Sequence, residues 1–210
     1  LFLIAWIMTT APVEWRSLII TGWMLAFIIG AFAAFKVTGK REPFYVYAGV
    51  GIAMLVAATA AELQGSALTI ALTIECAAVA VIAHIILNDK AIAERLSLLF
   101  IGPGLLSLDS MTPRVWRDGM IHEDFFVLLT LMIALLGIGS FFLSLYTHDK
   151  EEPTPITIGL LVVGSLYAYI ILWLSLHAEM MNDNLAVMIA LVIYTLVGLI
   201  TYFFLSLIHI

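Results

Sequence analysis

Seven stretches of this chain each hold about 20 consecutive, mostly apolar residues: 16–36, 43–62, 66–88, 91–108, 123–147, 156–178 and 184–207. A helix rises about 1.5 Å per residue, so a run of ~20 residues crosses a hydrocarbon core ~30 Å thick. The runs are continuous and do not alternate with period two, which argues against membrane strands. Residues 1–10 read as the tail of an eighth span. The pattern predicts an all-α fold, a polytopic transmembrane helical bundle of about eight spans, the first one partial. It also predicts one bundle over residues 1–210, with repeated hairpins over 43–88 and 156–207 as one reading.

Composition excludes the soluble alternative. Of 210 residues, 63% are hydrophobic and 11% charged, against roughly 25% charged in a soluble domain, and mean hydropathy is +1.12. A core of this size has no room for so much apolar surface. The expected partner is the lipid bilayer. A net charge of −6 leaves no basic patch for phosphates, so no nucleic-acid partner is expected. The single cysteine, Cys76, permits no internal disulfide and reads as a small buried apolar side chain.

The chain opens "LFLIAWIMTT" and closes "FFLSLIHI", both apolar. The expectation is a fragment of a larger membrane protein, with helices of the missing part as further partners. "SLIHI" reads as a sequencing read-through scar, which sets His209 aside.

The polar residues gather between the spans. "APVEWR", "KVTGKREP", "ELQGS", "NDKAIAER", "LDSMTPRVWRDGMIHED", "THDKEEPTP" and "AEMMNDN" form connections one to seven. The even ones carry Lys36, Lys40, Arg41, Lys90, Arg95 and Lys150; the odd ones carry Arg16, Arg114 and Arg117. The positive-inside rule then places the even connections, and both ends of the fragment, in the cytoplasm. "THDKEEPTP" is expected to be a solvated loop. In the long fifth connection, Met111, Val115, Trp116 and Met120 read as membrane-surface residues. Trp15, Trp116 and Trp173, with Tyr45, Tyr47 and Tyr146, read as interfacial anchors. "AELQGSALTIAL" and "AEMMNDNLAVMI" share an acidic turn, open to reading as a duplicated hairpin or as two unrelated turns.

Gly49, Ala53, Ala57 and Ala61 are spaced four apart, which places them on one helix face. Another helix is expected to pack there, since membrane helices associate through small residues.

Three features are candidate sites. The first is the polar pair of the 66–88 span. Glu75 sits near the middle of "TIALTIECAAVAVIAHIILND", and a charge at that depth costs at least about 2.5–3.5 kcal/mol. Helical spacing predicts that Glu75 faces a packed neighbour, with Tyr167, Tyr169 or Thr21 as partners. Its role is either a neutral inter-helix hydrogen bond or a proton, cation or ligand contact. His84 falls roughly opposite and is expected to reach interfacial water. The second is Pro103 in "FIGPGLL". It cannot donate to the Leu99 carbonyl, which predicts a kink or a broken helix. The third is the acidic set Asp109, Asp118, Glu123 and Asp124 of the fifth connection, read as a solvated loop or as the carboxylates of an envelope enzyme. No HExxH, GxSxG or Walker loop occurs, and no catalytic, cofactor or metal residue is assigned.

The stretches "FYVYAGVGIAMLVAATAAELQGSALTIALTIECAAVAVIAH", "HEDFFVLLTLMIALLGIGSFFLS" and "YIILWLSLHAEM" resemble the large bacterial membrane proteins grouped as domain of unknown function number 2339. Glu75 in "TIE" matches a Glu within a "TLE"-like helix of that family. The resemblance implies a multi-pass protein of the bacterial inner membrane and brings no established activity. The functional expectation is a transport-related module or membrane scaffold, more a non-enzyme than an enzyme. The alternative is an envelope enzyme acting on lipid-linked or glycan substrates.

Overall fold

The computed structural model describes residues 2–12, 15–38, 41–114, 116, 119, 121–180 and 183–208. The apolar runs form helices throughout: α1 (Phe2–Thr10), α2 (Arg16–Thr38), α3 (Arg41–Glu62), α4 (Gly65–Leu87), α5 (Lys90–Ser97), α6 (Ile101–Leu106), α7 (Glu123–Asp149), α8 (Pro155–Glu179) and α9 (Asp183–Ile208). The fold is an all-α helical bundle. Among the described residues, five segments are long and apolar enough to cross a membrane: Tyr45–Glu62, Gly65–Leu87, Glu123–Asp149, Pro155–Glu179 and Asn184–Phe203. Leu18–Ala31 is a shorter apolar stretch within α2.

Local chemistry sets the helix ends. Gly65 opens α4 at φ +58°, a conformation a Cβ disfavours. The Asp89 carboxylate accepts from the Ile92 amide at 3.2 Å and caps α5. Lys150 ends α7 in the left-handed region, and the Glu151 amide returns to the Tyr146 carbonyl at 3.0 Å. Thr154 caps α8, with Pro155 in the first turn where its missing N–H is harmless.

The expected span 91–108 is not one regular helix. A 3₁₀ turn, Leu98–Phe100, joins α5 to α6, and a second, Asp109–Met111, follows. The tightened turn contains Leu99, the residue whose carbonyl Pro103 leaves without a donor, so the proline accounts for the break.

The chain divides into two compact units, residues 1–68 and 69–210. In the first, α2 and α3 pack side by side around Ile7, Ile20, Met54 and Ala58. Gly51 permits the closest approach: a Cβ there would lie 3.0 Å from Ile28 Cγ1. The small-residue ladder takes part in the packing only at its Ala57. Gly49 and Ala53 are exposed, and Ala57 and Ala61 half-buried. The contact is rotated round the helix, onto Gly51, Met54 and Ala58, because the bulk of Met54 fills the interface.

In the second unit, α7 and α8 form a tight hairpin. A Cβ at Gly139 would come within 2.9 Å of the Leu161 side chain, and one at Gly164 within 2.9 Å of Leu136 and 3.1 Å of its backbone nitrogen. Leu128, Leu131, Leu135, Phe142, Leu160 and Leu174 fill the core around this contact. On α4 the buried stripe is Thr69, Leu72, Thr73, Cys76 and Ala80. Along α9, Ala186 and Ala190 are buried, and Tyr194 meets Tyr169 of α8 at 5.5 Å between rings.

Candidate functional site: a buried carboxylate and a lateral cavity

The most concentrated polar chemistry lies where α5 meets the α7–α8 hairpin. Glu94, one turn into α5, is 2% exposed. Its carboxylate accepts from the Tyr146 hydroxyl of α7 at 2.8 Å, from the Thr154 hydroxyl at 2.5 Å, and from the Thr157 hydroxyl of α8. Three hydroxyl donors replace the water that burial removes, which is the condition for holding a carboxylate in such a place. Four residues earlier, on the same helix face, Lys90 donates to Asp149 and to Glu151, the latter at 2.9 Å. Its ammonium also lies 5.1 Å from the centre of the Tyr146 ring, within cation–π range. The two carboxylates hold the Lys90 pKa above its ordinary value.

"THDKEEPTP" is exposed over residues 147–152, as expected of a solvated loop, but it is also tied to α5. Asp149 and Glu151 are paired, and Thr154 both caps α8 and binds Glu94. Tyr146 is buried rather than interfacial, because its hydroxyl has a carboxylate to serve. Connections four and six meet at one end of the unit, as they must if two crossings separate them.

Further polar links tie the broken segment down along its length. Midway, the Ser107 and Tyr167 hydroxyls are 2.7 Å apart, and both reach the Gly104 carbonyl, at 2.8 and 3.4 Å. At the far end, Ser110 donates to Asp124 at 2.7 Å, and the Trp116 indole N–H donates to the Ser110 carbonyl at 2.9 Å. Trp116 is fully buried, with His122 edge-on at 4.4 Å and Phe125 at 6.3 Å. The expectation that Trp116 lies on the membrane surface thus fails: its N–H finds a backbone acceptor, and its ring finds the start of α7. The pairs Glu94–Thr157 and Gly104–Tyr167 have the same sequence separation, so the segment runs parallel to α8.

Between this segment and α8 lies a cavity of about 510 Å³. Leu98, Ile101 and Leu105 form one wall; Ile156, Leu160 and Val163 form the other, with Gly159 between them. Its two hydroxyl-bearing residues are already engaged: Ser97 donates to the Glu94 carbonyl at 2.6 Å, and Tyr167 pairs with Ser107. The lining is otherwise apolar, suited to an apolar occupant.

The residues singled out from sequence are dispersed. Glu75 is half-buried on α4, beside the packed stripe rather than on it. Thr69, Thr73 and Cys76 supply the most buried face, and Glu75, next to Cys76, is sheltered on the adjoining side, with its Oε2 buried. Of its proposed partners, Tyr167 is bonded to Ser107 and Tyr169 meets Tyr194 edge-on. His84 is half-buried against Phe141, edge-on at 5.5 Å between rings, and thus packs where interfacial water was expected. Pro103 is buried within α6 and places the break along one side of the cavity. Asp109 and Glu123 are exposed, Asp124 binds Ser110, and Asp118 lies outside the described residues, as does His209. Among the described residues, no group of three or more His, Cys, Asp or Glu is placed to hold a metal ion.

Glu94 is not among the sequence candidates because hydropathy places it in the fourth connection, "NDKAIAER". Two local signals pointed to it: the i, i+4 spacing of Lys90 and Glu94 behind the capping Asp89, and the i, i+3 spacing of Thr154 and Thr157. Compared with protein-family models, curated proteins and solved structures, the chain matches none of them.

Proposed function

We propose that this chain is a multi-pass protein of the bacterial inner membrane that works as a non-enzymatic scaffold, in which a glycine-packed hairpin clamps a proline-broken helix. The observation that carries the reading is the Glu94 network. A buried carboxylate with three hydroxyl partners on the hairpin serves as an anchor, and the Ser107–Tyr167 and Ser110–Asp124 links repeat that use of polar groups along the segment. The membrane location is supported by five helices of spanning length. The bacterial inner membrane is supported by the resemblance to domain of unknown function number 2339. The positive-inside count supports cytoplasmic even connections, including the Lys90 end.

The test compares Glu94→Gln and Glu94→Ala in detergent and in proteoliposomes. The scaffold reading expects lower thermal stability for both, with no proton flux in the parent to lose. A transport-related reading has one specific observation behind it, the broken helix beside a lateral cavity. It expects a proton or solute flux in the parent that Glu94→Gln abolishes at unchanged stability.

A further inference from the structure

We infer that the cavity between the broken segment and α8 holds one acyl chain of a bilayer phospholipid, with Arg95 at its mouth to meet the lipid phosphate. The inference rests on the bilayer location proposed above and adds to it an occupant. The cavity opens sideways, onto the bundle's apolar exterior. Of the residues that line it, Leu98, Ile101, Leu105 and Val163 are also exposed, Leu105 at 63%. Within a bilayer, the material against those side chains is hydrocarbon. The cavity runs from Ser97 to Leu105 along the broken segment and from Pro155 to Tyr167 along α8, roughly nine and thirteen residues. At ~1.5 Å per residue that is ~12–18 Å, a length that an extended hydrocarbon chain can follow. Its volume, about 510 Å³, lies within the range of ~300–1,000 Å³ that encloses small ligands. Because the Ser97 and Tyr167 hydroxyls are spent internally, the walls offer a polar ligand no free partner.

One end of the cavity carries the boundary of the membrane. Arg95 is exposed, one turn before Leu98 on α5. Among the described residues, the ion pairs in this part of the unit belong to Lys90, with Asp149 and Glu151. Arg95 is thus an exposed cation two residues before Ser97, the first residue that lines the cavity, and a guanidinium is a planar cation that binds phosphate well. The Gly159 position keeps the cavity open. A Cβ built there meets nothing within 4 Å, unlike Gly164 one turn and a half further on, where a Cβ would collide with Leu136. The two glycines of α8 therefore differ in use: Gly164 admits a helix, and Gly159 leaves room for something else.

The full chain, reconstituted in phosphatidylethanolamine–phosphatidylglycerol vesicles, is labelled with a phosphatidylethanolamine bearing a photoactivatable diazirine at mid-chain. Adducts are mapped by peptide mass spectrometry. The expected result is adducts on Ile101, Leu105 and Val163 that are lost in Gly159→Phe, whose ring enters the cavity. If that variant fails to fold, Leu105→Trp, which closes the mouth from an exposed position, is expected to give the same loss. Arg95→Gln is expected to lower labelling by the phospholipid probe but not by a diazirine fatty acid. Adducts on the exposed α9 residues Leu191, Leu196 and Phe203 report that the chain is in the bilayer. With those present, an unlabelled groove, groove labelling unchanged in both filled variants, labelling by the fatty acid only, or protein–protein cross-links from Leu98 or Leu105 would each overturn the inference. With α9 also unlabelled, it is the membrane reading that fails.

Discussion

Glu75 sits halfway along α4, surrounded in sequence by Thr, Ile, Cys and Ala, whereas Glu94 sits near the start of α5 among Lys90, Arg95 and Asp89. Hydropathy makes the first the stranded carboxylate and the second an ordinary surface charge. In the folded unit the order is reversed: Glu75 is half-buried beside the packed stripe of its helix, and Glu94 is enclosed by three hydroxyls from two other helices. The burial of a charge is set by the donors that tertiary structure brings to it, and less by the polarity of its own helix. α5 can carry Glu94 inward because Thr154, Thr157 and Tyr146 converge from the hairpin. On α4 the most buried face is made of Thr69, Thr73 and Cys76.

The sharpest way to break this comparison is to remove each carboxylate in turn. Glu94→Ala deletes three hydrogen bonds to a charged group, each of them worth ~1.5–3 kcal/mol before relaxation. The expected loss of stability, after partial compensation between coupled groups, is on the order of 3–5 kcal/mol. Glu75→Ala, at a half-buried position, should cost under about 1 kcal/mol. Equal losses in detergent unfolding would mean that position along a span, and not the donor set, decides what a carboxylate contributes.

The next effect tests the same contrast in glycines. Gly164→Ala places a Cβ 3.1 Å from the Leu136 backbone nitrogen, which cannot move aside as a side chain tip can. The expected cost is ~1–3 kcal/mol. Gly49→Ala meets nothing within 4 Å and should stabilise α3 by ~0.5–1 kcal/mol, the difference between the two residues in a helix interior. A third, smaller step sharpens the Glu94 result: Thr157→Val keeps shape and removes one donor, for an expected ~1–2 kcal/mol. If Thr157→Val in a Glu94→Ala background costs as much as in the parent, the two side chains are not coupled.

These pairs also mark what could be read from sequence. The helices were legible because a spanning length of apolar residues is a local property. So was the break at Pro103, since proline acts on the carbonyl four residues back. The caps Asp89 and Thr154 are local too. Partner identity is different. Gly49, Ala53, Ala57 and Ala61 announce a smooth face but not whether anything lies against it, while Gly139 and Gly164 each look like one more small residue until α7 and α8 are brought together. Glu94 and its donors are separated by more than 50 residues along the chain, and the packing of the α7–α8 hairpin against α5 alone joins them. The acidic set of the fifth connection was grouped by proximity in sequence, and Asp124 turned instead to Ser110, a choice fixed by where Trp116 docks the loop.

The smallest effect separates the two neighbours on α5, Glu94 and Lys90. Lys90 lies at the rim of the same cluster and pairs with Asp149 and Glu151, and those carboxylates raise its pKa above the ordinary 10.5. A group whose pKa is raised by folding adds stability that is complete below the unfolded value and is lost as pH rises through the folded one. The advantage of the parent over Lys90→Met in thermal midpoint should therefore be constant up to about pH 10 and fade above it. Added salt should shrink it at every pH, because an exposed pair is screened. Glu94, 2% exposed and bonded to three hydroxyls, should show no such salt dependence. A salt-sensitive difference between the parent and Glu94→Gln would place water at that carboxylate, and would make the anchor and its rim a single exposed cluster rather than a dry core edged by an ion pair.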